Sequence, residues 1–455
     1  MNVGLFDSFI TRGWYNAAAR RVWSDTGTLQ AWLKVEACLA WAQGELGVIP
    51  REAAQEIDRH VDIGGFDLDR LTEDIAFAQH PFVPVLRQFE KLCGEPAAGY
   101  LHWGATTQNI FDTANALQMA ETHALTLGFL DEAIARLAVL AQEHRLTLQA
   151  GRTHGQHALP MTFGFKVAGW LDELVRDRAR LAERFASSFV VCMGGAIGTF
   201  AAMGPRGPEV ERLMAEKLGL QAAGLPARAS CDRICDYLST LALLAGTTEK
   251  IARDIVFLQR TEVGEVAESF HLGKVGSSTM AQKRNPSTSL MLISMARLLR
   301  SRVTLCLECM ARMDEGDSSA TNVNDVTLPE IAVLAVSLAE TLQRLVAGLT
   351  VSPKAMAHNA RLTHGLIVSE AVMMRLTESM GRHEAHHLLY EVAQRAISEG
   401  LPFLELLREQ LLVRGKDLPA GLNGALAVEN YVGESARLAD EAVARARRGL
   451  ATIPA

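Results

Sequence analysis

Three short polar islands hold the residue types that can do chemistry. The first is His102-Trp103-Gly104-Ala105-Thr106-Thr107-Gln108-Asn109. The second is Gly151-Arg152-Thr153-His154-Gly155-Gln156-His157-Ala158. The third is Gly276-Ser277-Ser278-Thr279-Met280-Ala281-Gln282-Lys283-Arg284-Asn285-Pro286. Each is read as closing one element and opening a helix. Hydroxyls and backbone N–H groups at helix starts attract anions. Three such sites converging would suit a dicarboxylate. In the third island Asn285 takes a cap position and Pro286 a first-turn position of the next helix. Taken alone, that segment reads equally well as a solvated linker with an ordinary cap.

The elements that must position these islands are long helices. Leu127, Leu130, Ile134 and Leu137 step by three and four, as do Ile331, Leu334, Leu338, Leu342 and Leu345. Ile251, Ile255 and Leu258 continue the theme. Such spacing marks apolar stripes on amphipathic helices. The stretch from Ile110 to Glu143 contains one Gly and no Pro. Five long helices are expected, at roughly 110–145, 162–188, 231–269, 286–312 and 324–350. Lengths well above the usual dozen residues imply an extended bundle.

The fold class expected is all-α in three helical domains: 1–110 with short helices, 111–352 with the long bundle, and 353–455. Turn residues Pro50, Gly64-Gly65, Pro81, Pro84 and Gly94-Glu95-Pro96 break up the first. Gly381, Gly400-Leu401-Pro402 and Pro419 interrupt the last.

Composition narrows the function classes. The 455 residues are 49% hydrophobic and 21% charged, which excludes disorder, and aromatics are only 6%. The net charge is −7 with no basic stripe, so a nucleic-acid partner is not expected. Seven scattered cysteines do not form a disulfide framework. No apolar run is long enough for a membrane span, and the first residues lack a secretory pattern, so a cytoplasmic location is the default.

The third island resembles the GSSxMPxKxNP signature of the fumarase/aspartase superfamily. The other two islands resemble that superfamily's remaining signature regions, in the same order. Ala42-Gln43-Gly44-Glu45-Leu46-Gly47-Val48-Ile49-Pro50 and Gly365-Leu366-Ile367-Val368-Ser369-Glu370-Ala371 resemble the 3-carboxy-cis,cis-muconate cycloisomerase and adenylosuccinate-lyase-like branch. The likeness therefore runs over nearly the whole chain.

The resemblance implies a homotetramer around a 20-helix core, five helices per subunit, with each active site shared by three subunits. It implies a small dicarboxylate-containing substrate and no cofactor or metal. Ser277 matches the general base that removes a Cβ proton of a substituted succinate through an aci-carboxylate intermediate, with Ser278 the alternative. Lys283 and Asn285 match the groups that hold the carboxylate taking up charge. His154 matches a histidine that binds substrate or protonates the leaving group, and Thr153 a hydroxyl in contact with substrate. Thr106 and Thr107 match the pair holding the second carboxylate. Ser278, Met280, Gln282, His102 and Asn109 complete the implied substrate contacts. His80 and His102 could instead be satisfied structural histidines, and His154 a helix-capping one.

Several positions depart from the pattern. Ala281 stands where Pro is usual, Gln282 where His or Tyr is, and Asn109 where Asp is. The 314–324 segment lacks the arginines that adenylosuccinate lyases carry for a nucleotide. Three activities follow from the resemblance: β-elimination releasing fumarate from an N- or S-substituted succinate, cycloisomerase lactonisation, and adenylosuccinate cleavage. A non-catalytic relative is the fourth reading.

Other signals carry less. Cys306-Leu307-Glu308-Cys309 has metal or redox spacing but falls inside an expected helix, and Cys231 and Cys235 are one helical turn apart. His383-Glu384-Ala385-His386-His387 reads as a polar helix face. Gly194-Gly195-Ala196-Ile197-Gly198 has no expected strand before it, so it is not read as a dinucleotide loop.

Overall fold

The computed structural model describes residues 6–271, 277–416, 424 and 427–451. Gly276 of the third island lies outside them. Among the described residues the fold is all-helical apart from three two-stranded pairs. It divides into two compact units. One comprises Met1–Leu130, Asp177–Thr248 and Met291–Thr341, and the other Asp131–Arg176, Glu249–Leu290 and Leu342–Ala455.

The five long helices run Thr107–Glu143, Phe163–Ser188, Asp232–Leu258, Ser287–Glu308 and Ser318–Ala347. Four lie close to their expected ranges. The third ends eleven residues early. After Leu258 the chain folds into a turn in which Gly264, at φ +60°, donates to the carbonyl of Arg260 (2.8 Å). Val266–Ala267 then pairs antiparallel with Thr350–Val351. Gly264 reads as a tolerated helix glycine, but a left-handed residue ends a helix.

The last long helix also departs from a simple stripe. Every residue from Ile331 to Ala339 is buried, including Ala332, Val333, Ala335 and Val336. A helix apolar all round is an interior helix rather than a surface one. It begins six residues before its expected start because Asp317 caps it, accepting from the N–H and the hydroxyl of Ser319 (2.9 and 2.6 Å). Pro329 is accommodated within it.

In the first unit the Asp25–Glu45 helix is capped by Ser24, which accepts the Gly27 N–H, and buries Leu33, Val35, Glu36, Ala37, Leu39 and Ala40. In the second unit the Ser369–Met380, Arg382–Glu399 and Phe403–Val413 helices close around Leu376, Leu388, Phe403 and Leu407. No helix among the described residues is long and apolar enough to cross a membrane.

Candidate active site

The first island lies in the first unit. His102 and Gly104 take positive φ (56° and 75°), which turns the chain so that the 37-residue helix starts at Thr107. Asn109 is fully buried. Its Oδ1 accepts the N–H groups of Thr106 (3.1 Å) and Gly195 (3.0 Å), and its own N–H donates to the Thr106 carbonyl (2.8 Å). This is the reciprocal half of a capping box, with Asn in place of Glu or Gln. The structure therefore places Asn109 beneath the threonines, where it fixes Thr106 and ties it to the glycine-rich loop. A two-residue strand, Val190–Val191, does precede that loop, contrary to the sequence reading. The residues after it form turns and bends before the Gly207–Leu218 helix, so no dinucleotide cradle is built.

His102 has a partner that the sequence reading missed. Its Nδ1 lies 2.6 Å from Glu36 Oε1, and its backbone N–H donates to Glu36 Oε2 at 3.2 Å. A carboxylate only accepts, so Nδ1 carries the proton and in the neutral ring Nε2 is the acceptor. The ring also rests on Phe82, with centroids 5.5 Å apart. One helical face supplies a second grip, because Gln43 Nε2 donates to the Trp103 carbonyl (2.7 Å). The available signal was two polar residues, Glu36 and Gln43, seven apart on an otherwise apolar face. His80 is satisfied locally. Its Nδ1 accepts the N–H groups of Phe82 and Val83 (3.2 and 3.1 Å) and so caps the Val83–Cys93 helix.

The second island, in the second unit, opens no helix. It is the tip of a β-hairpin, Leu148–Thr153 against Gln156–Thr162, with Thr153 paired to Gln156. His154 and Gly155 form the two-residue turn, both at positive φ (53° and 79°), the pattern of a primed hairpin turn. The next helix waits until Phe163. No strict alternation marks this hairpin, so the polar stretch reads as a helix approach. Thr153 and His154 are exposed at its tip.

A buried ion pair anchors that hairpin. Arg152 Nη1 donates to Glu265 Oε2 at 3.2 Å and Nη2 bonds Oε1. Gln149 Nε2 (2.7 Å) and Asn359 Nδ2 (2.8 Å) fill the remaining acceptor sites of the fully buried carboxylate. Burial pushes the Glu265 pKa up, but the donors Arg152, Asn359 and Gln149 outweigh it and hold the group below the usual value. The His157 pKa is shifted down by burial and then by the Arg152 charge, against Glu265.

The third island follows in the same unit. Ser277 Oγ accepts the N–H groups of Met280 (3.0 Å) and Thr279 (3.3 Å). Lys283 N–H donates to the Met280 carbonyl (3.1 Å), and Gln259 Nε2 to the Arg284 carbonyl (3.1 Å). Residues 278–284 are exposed, which puts Ser278, Met280, Gln282 and Lys283 on the surface of the single chain. The helix after Asn285-Pro286 starts at Ser287. A distant carboxylate serves its first turn, since Glu268 accepts from Thr288 N–H (3.0 Å) and Ser289 N–H (2.7 Å).

The Cys306 and Cys309 pair resolves as packing. Cys306 contacts Thr327 Oγ1 at 3.0 Å, and Cys309 donates to the Leu305 carbonyl at 3.4 Å. His383, His386 and His387 lie on an exposed helix face. Among the described residues no group of three His, Cys, Asp or Glu is placed to hold a metal.

Hydroxyls at a helix start, a hairpin-borne histidine and a serine whose oxygen collects backbone donors are parts suited to anion binding and proton transfer. The comparisons with known proteins give these parts a lineage. The lyase family profile matches residues 15–299, and the profile of the adenylosuccinate lyase C-terminus matches residues 365–442. The N-acetyl-S-(2-succino)cysteine lyase of Dickeya dadantii is 36% identical over 93% of both chains. The adenylosuccinate lyase of Pyrococcus abyssi is 38% identical over 93% of this chain and 94% of its own. The 3-carboxy-cis,cis-muconate lactonizing enzyme of Pseudomonas putida superposes with a TM-score of 0.89 at 33% identity, covering 98% and 99% of the two chains. The chain belongs to the lyase family of the fumarase/aspartase superfamily, and it is an enzyme of that class.

Proposed function

We propose that this enzyme removes a C–S- or C–N-linked group from a substituted succinate and releases fumarate, with Ser277 as the general base. The observation that carries this reading is the pair of backbone N–H groups on Ser277 Oγ. A free hydroxyl is a very weak base. Donors aimed at its oxygen favour the alkoxide, as does positive charge from Lys283 on the same loop. The alkoxide takes the Cβ proton, and the electron pair moves into the neighbouring carboxylate as an aci form. The bond from Cα to sulfur or nitrogen then breaks, giving the alkene.

The same reading gives the remaining residues their roles, and their placement supports it. Thr106 and Thr107 stand at the start of a long helix, where a carboxylate is stabilised. Lys283 and Asn285 hold the carboxylate that accepts charge. His154, carried on the hairpin tip beside Thr153, protonates or orients the leaving group. Ser278, Met280 and Gln282 contact substrate from the loop, and His102 from the first island. Thr153, His154 and the 278–284 loop are exposed in the single chain. Their exposure fits a homotetramer in which three subunits complete each site.

The name of the Dickeya relative favours sulfur as the leaving atom. Cycloisomerisation of a carboxymuconate is the second reading, favoured by the likeness to the Pseudomonas enzyme. A panel of N- and S-substituted succinates, assayed for fumarate, tests the first reading. Loss of the conjugated absorbance of 3-carboxy-cis,cis-muconate tests the second. Ser277→Ala should lower turnover of the active substrate by about 10²- to 10⁴-fold, the usual contribution of a positioned base. Full activity in that variant would remove Ser277 from the mechanism.

A further inference from the structure

One thiol of the first unit faces a cavity that the proposed chemistry does not use. Cys231 occupies the cap position of the Asp232–Leu258 helix, where its carbonyl accepts the Cys235 N–H at 3.2 Å. Its sulfur therefore sits at the positive end of a 27-residue helix. Asn324 Nδ2 donates to it at 3.8 Å, and the Cys235 sulfur lies 3.9 Å away. The Cys235 sulfur is also 3.3 Å from the Cys306 carbonyl, an acceptor that requires Cys235 to keep its proton. Cys235 is thus the protonated partner, and Cys231 is the one of the pair placed to ionise.

The charges around Cys231 act in the same sense overall. The neighbouring Cys235 sulfur lowers its pKa most; Arg312 and Asn324 lower it further, while burial and Asp112 oppose. The other cysteines are all displaced the opposite way. Burial lifts Cys38 and Cys192 to about 12 and Cys93 and Cys306 to about 11, and raises Cys309. A thiolate at a helix start with donors around it is the environment of a reactive cysteine.

The cavity has about 120 Å³ of space and is lined by Cys231, Ser188, Asn324, Arg233, Arg312 and Asp112 among others. Engineered cavities of about 150 Å³ admit benzene. Two buried polar atoms of its wall, Ser188 Oγ and Asn324 Oδ1, lack partners, and their residues are 6% and 8% exposed. Orphaned polar atoms of this kind call for a partner that the chain itself does not supply. Arg233 and Arg312 bring two guanidinium groups to a wall that also holds Asp112 and Asp325, whose pKa values burial raises, so a carboxylate is a ligand the cavity can take.

We propose that Cys231 is a modification site for small carboxylated Michael acceptors, the class to which fumarate belongs. The thiolate sulfur forms a bond to one alkene carbon. The π electron pair moves to the adjacent carbon, which takes a proton from water. A thioether of succinate results, with no net oxidation or reduction. This goes beyond the proposed elimination and requires no turnover.

Incubation of the full chain with fumarate, followed by peptide mass analysis, tests it. The Cys231 peptide should gain the mass of one fumarate before any other cysteine peptide. Cys231→Ser should lose that adduct, and Asn324→Leu should slow it by removing a donor to the sulfur. Succinate, which cannot alkylate, should protect Cys231 against iodoacetamide. The Ser277→Ala variant should be modified at the wild-type rate, which separates this outcome from any failure of the proposed elimination. A first adduct on another cysteine, or an unmodified Cys231 after other thiols have reacted, overturns the proposal whether or not the variants fold.

Discussion

The carboxylate of Glu36 holds His102 by two bonds, one to the ring Nδ1 at 2.6 Å and one to the backbone N–H at 3.2 Å. Glu36 is 1% exposed, and the His102 side chain is 20% exposed. One residue thus fixes the tautomer, the ring direction and the positive-φ backbone that precedes Thr106. Glu36→Gln keeps one acceptor but cannot receive both donors. Its expected cost is about 1–3 kcal/mol in transition-state stabilisation, or roughly 5- to 150-fold in kcat/KM. The loss should fall on kcat more than on KM, because the amide no longer fixes the ring's tautomer and direction. A loss of activity that only tracks a loss of thermal stability would leave Glu36 a packing role.

Glu265 makes a different prediction, about stability. Its folded pKa lies below the ordinary glutamate value of 4.5 because Arg152, Asn359 and Gln149 outweigh burial. A carboxyl with a depressed folded pKa contributes stability in full above its unfolded value. That contribution is lost as pH falls through the lower folded value. Urea unfolding of the wild type should therefore show a stability loss beginning near pH 4.5 and continuing below it. Glu265→Gln leaves Arg152 buried without its charge partner and should cost about 3–5 kcal/mol at neutral pH. The gap between variant and wild type should narrow in acid. A gap independent of pH would show that the carboxylate's charge is not what anchors the hairpin.

Much of this architecture was legible in the sequence. Leu130, Ile134 and Leu137 repeat at helical spacing, and all three are buried. Periodicity reports such residues directly, because one helix face meets the core. The features that escaped depend on contacts distant in sequence. Glu265 meets Gln149 and Arg152 across more than a hundred residues, and no local pattern encodes that pairing. The His154-Gly155 turn escaped because its flanking strands do not alternate. The early helix end at Leu258 escaped because Gly264 can be either an interior glycine or a left-handed terminator. Only the pairing of Val266–Ala267 with Thr350–Val351 decides between them.

Asn109 connects the fold to the first island. Its Oδ1 is the acceptor for both Thr106 N–H and Gly195 N–H. Asn109→Ala would leave two amides without that partner. Each buried unsatisfied donor costs about 1–3 kcal/mol. The variant should unfold at lower urea and bind substrate more weakly, since the helix start at Thr106 and Thr107 loses its fixed orientation. Thermal melting and the split between KM and kcat would check this. An unchanged KM with an unchanged melting temperature would dissociate Asn109 from both tasks.

Glu268 sets where the third loop ends. Its two carboxylate oxygens accept from Thr288 N–H and Ser289 N–H, while its own N–H donates to Gln259 Oε1 at 2.8 Å. Gln259 Nε2 in turn reaches the Arg284 carbonyl, so this glutamate and glutamine clamp both sides of Asn285-Pro286. Loss of a helix-capping side chain costs about 0.5–2 kcal/mol. Glu268→Ala should therefore lower stability modestly. Its effect on catalysis should be larger, because the first helical turn fixes the base of the segment that carries Ser277 and Lys283. Glu268→Gln, which retains one acceptor, should recover part of the lost kcat. If both variants lose stability and activity in the same proportion, the carboxylate serves the helix alone and the loop is positioned by other contacts.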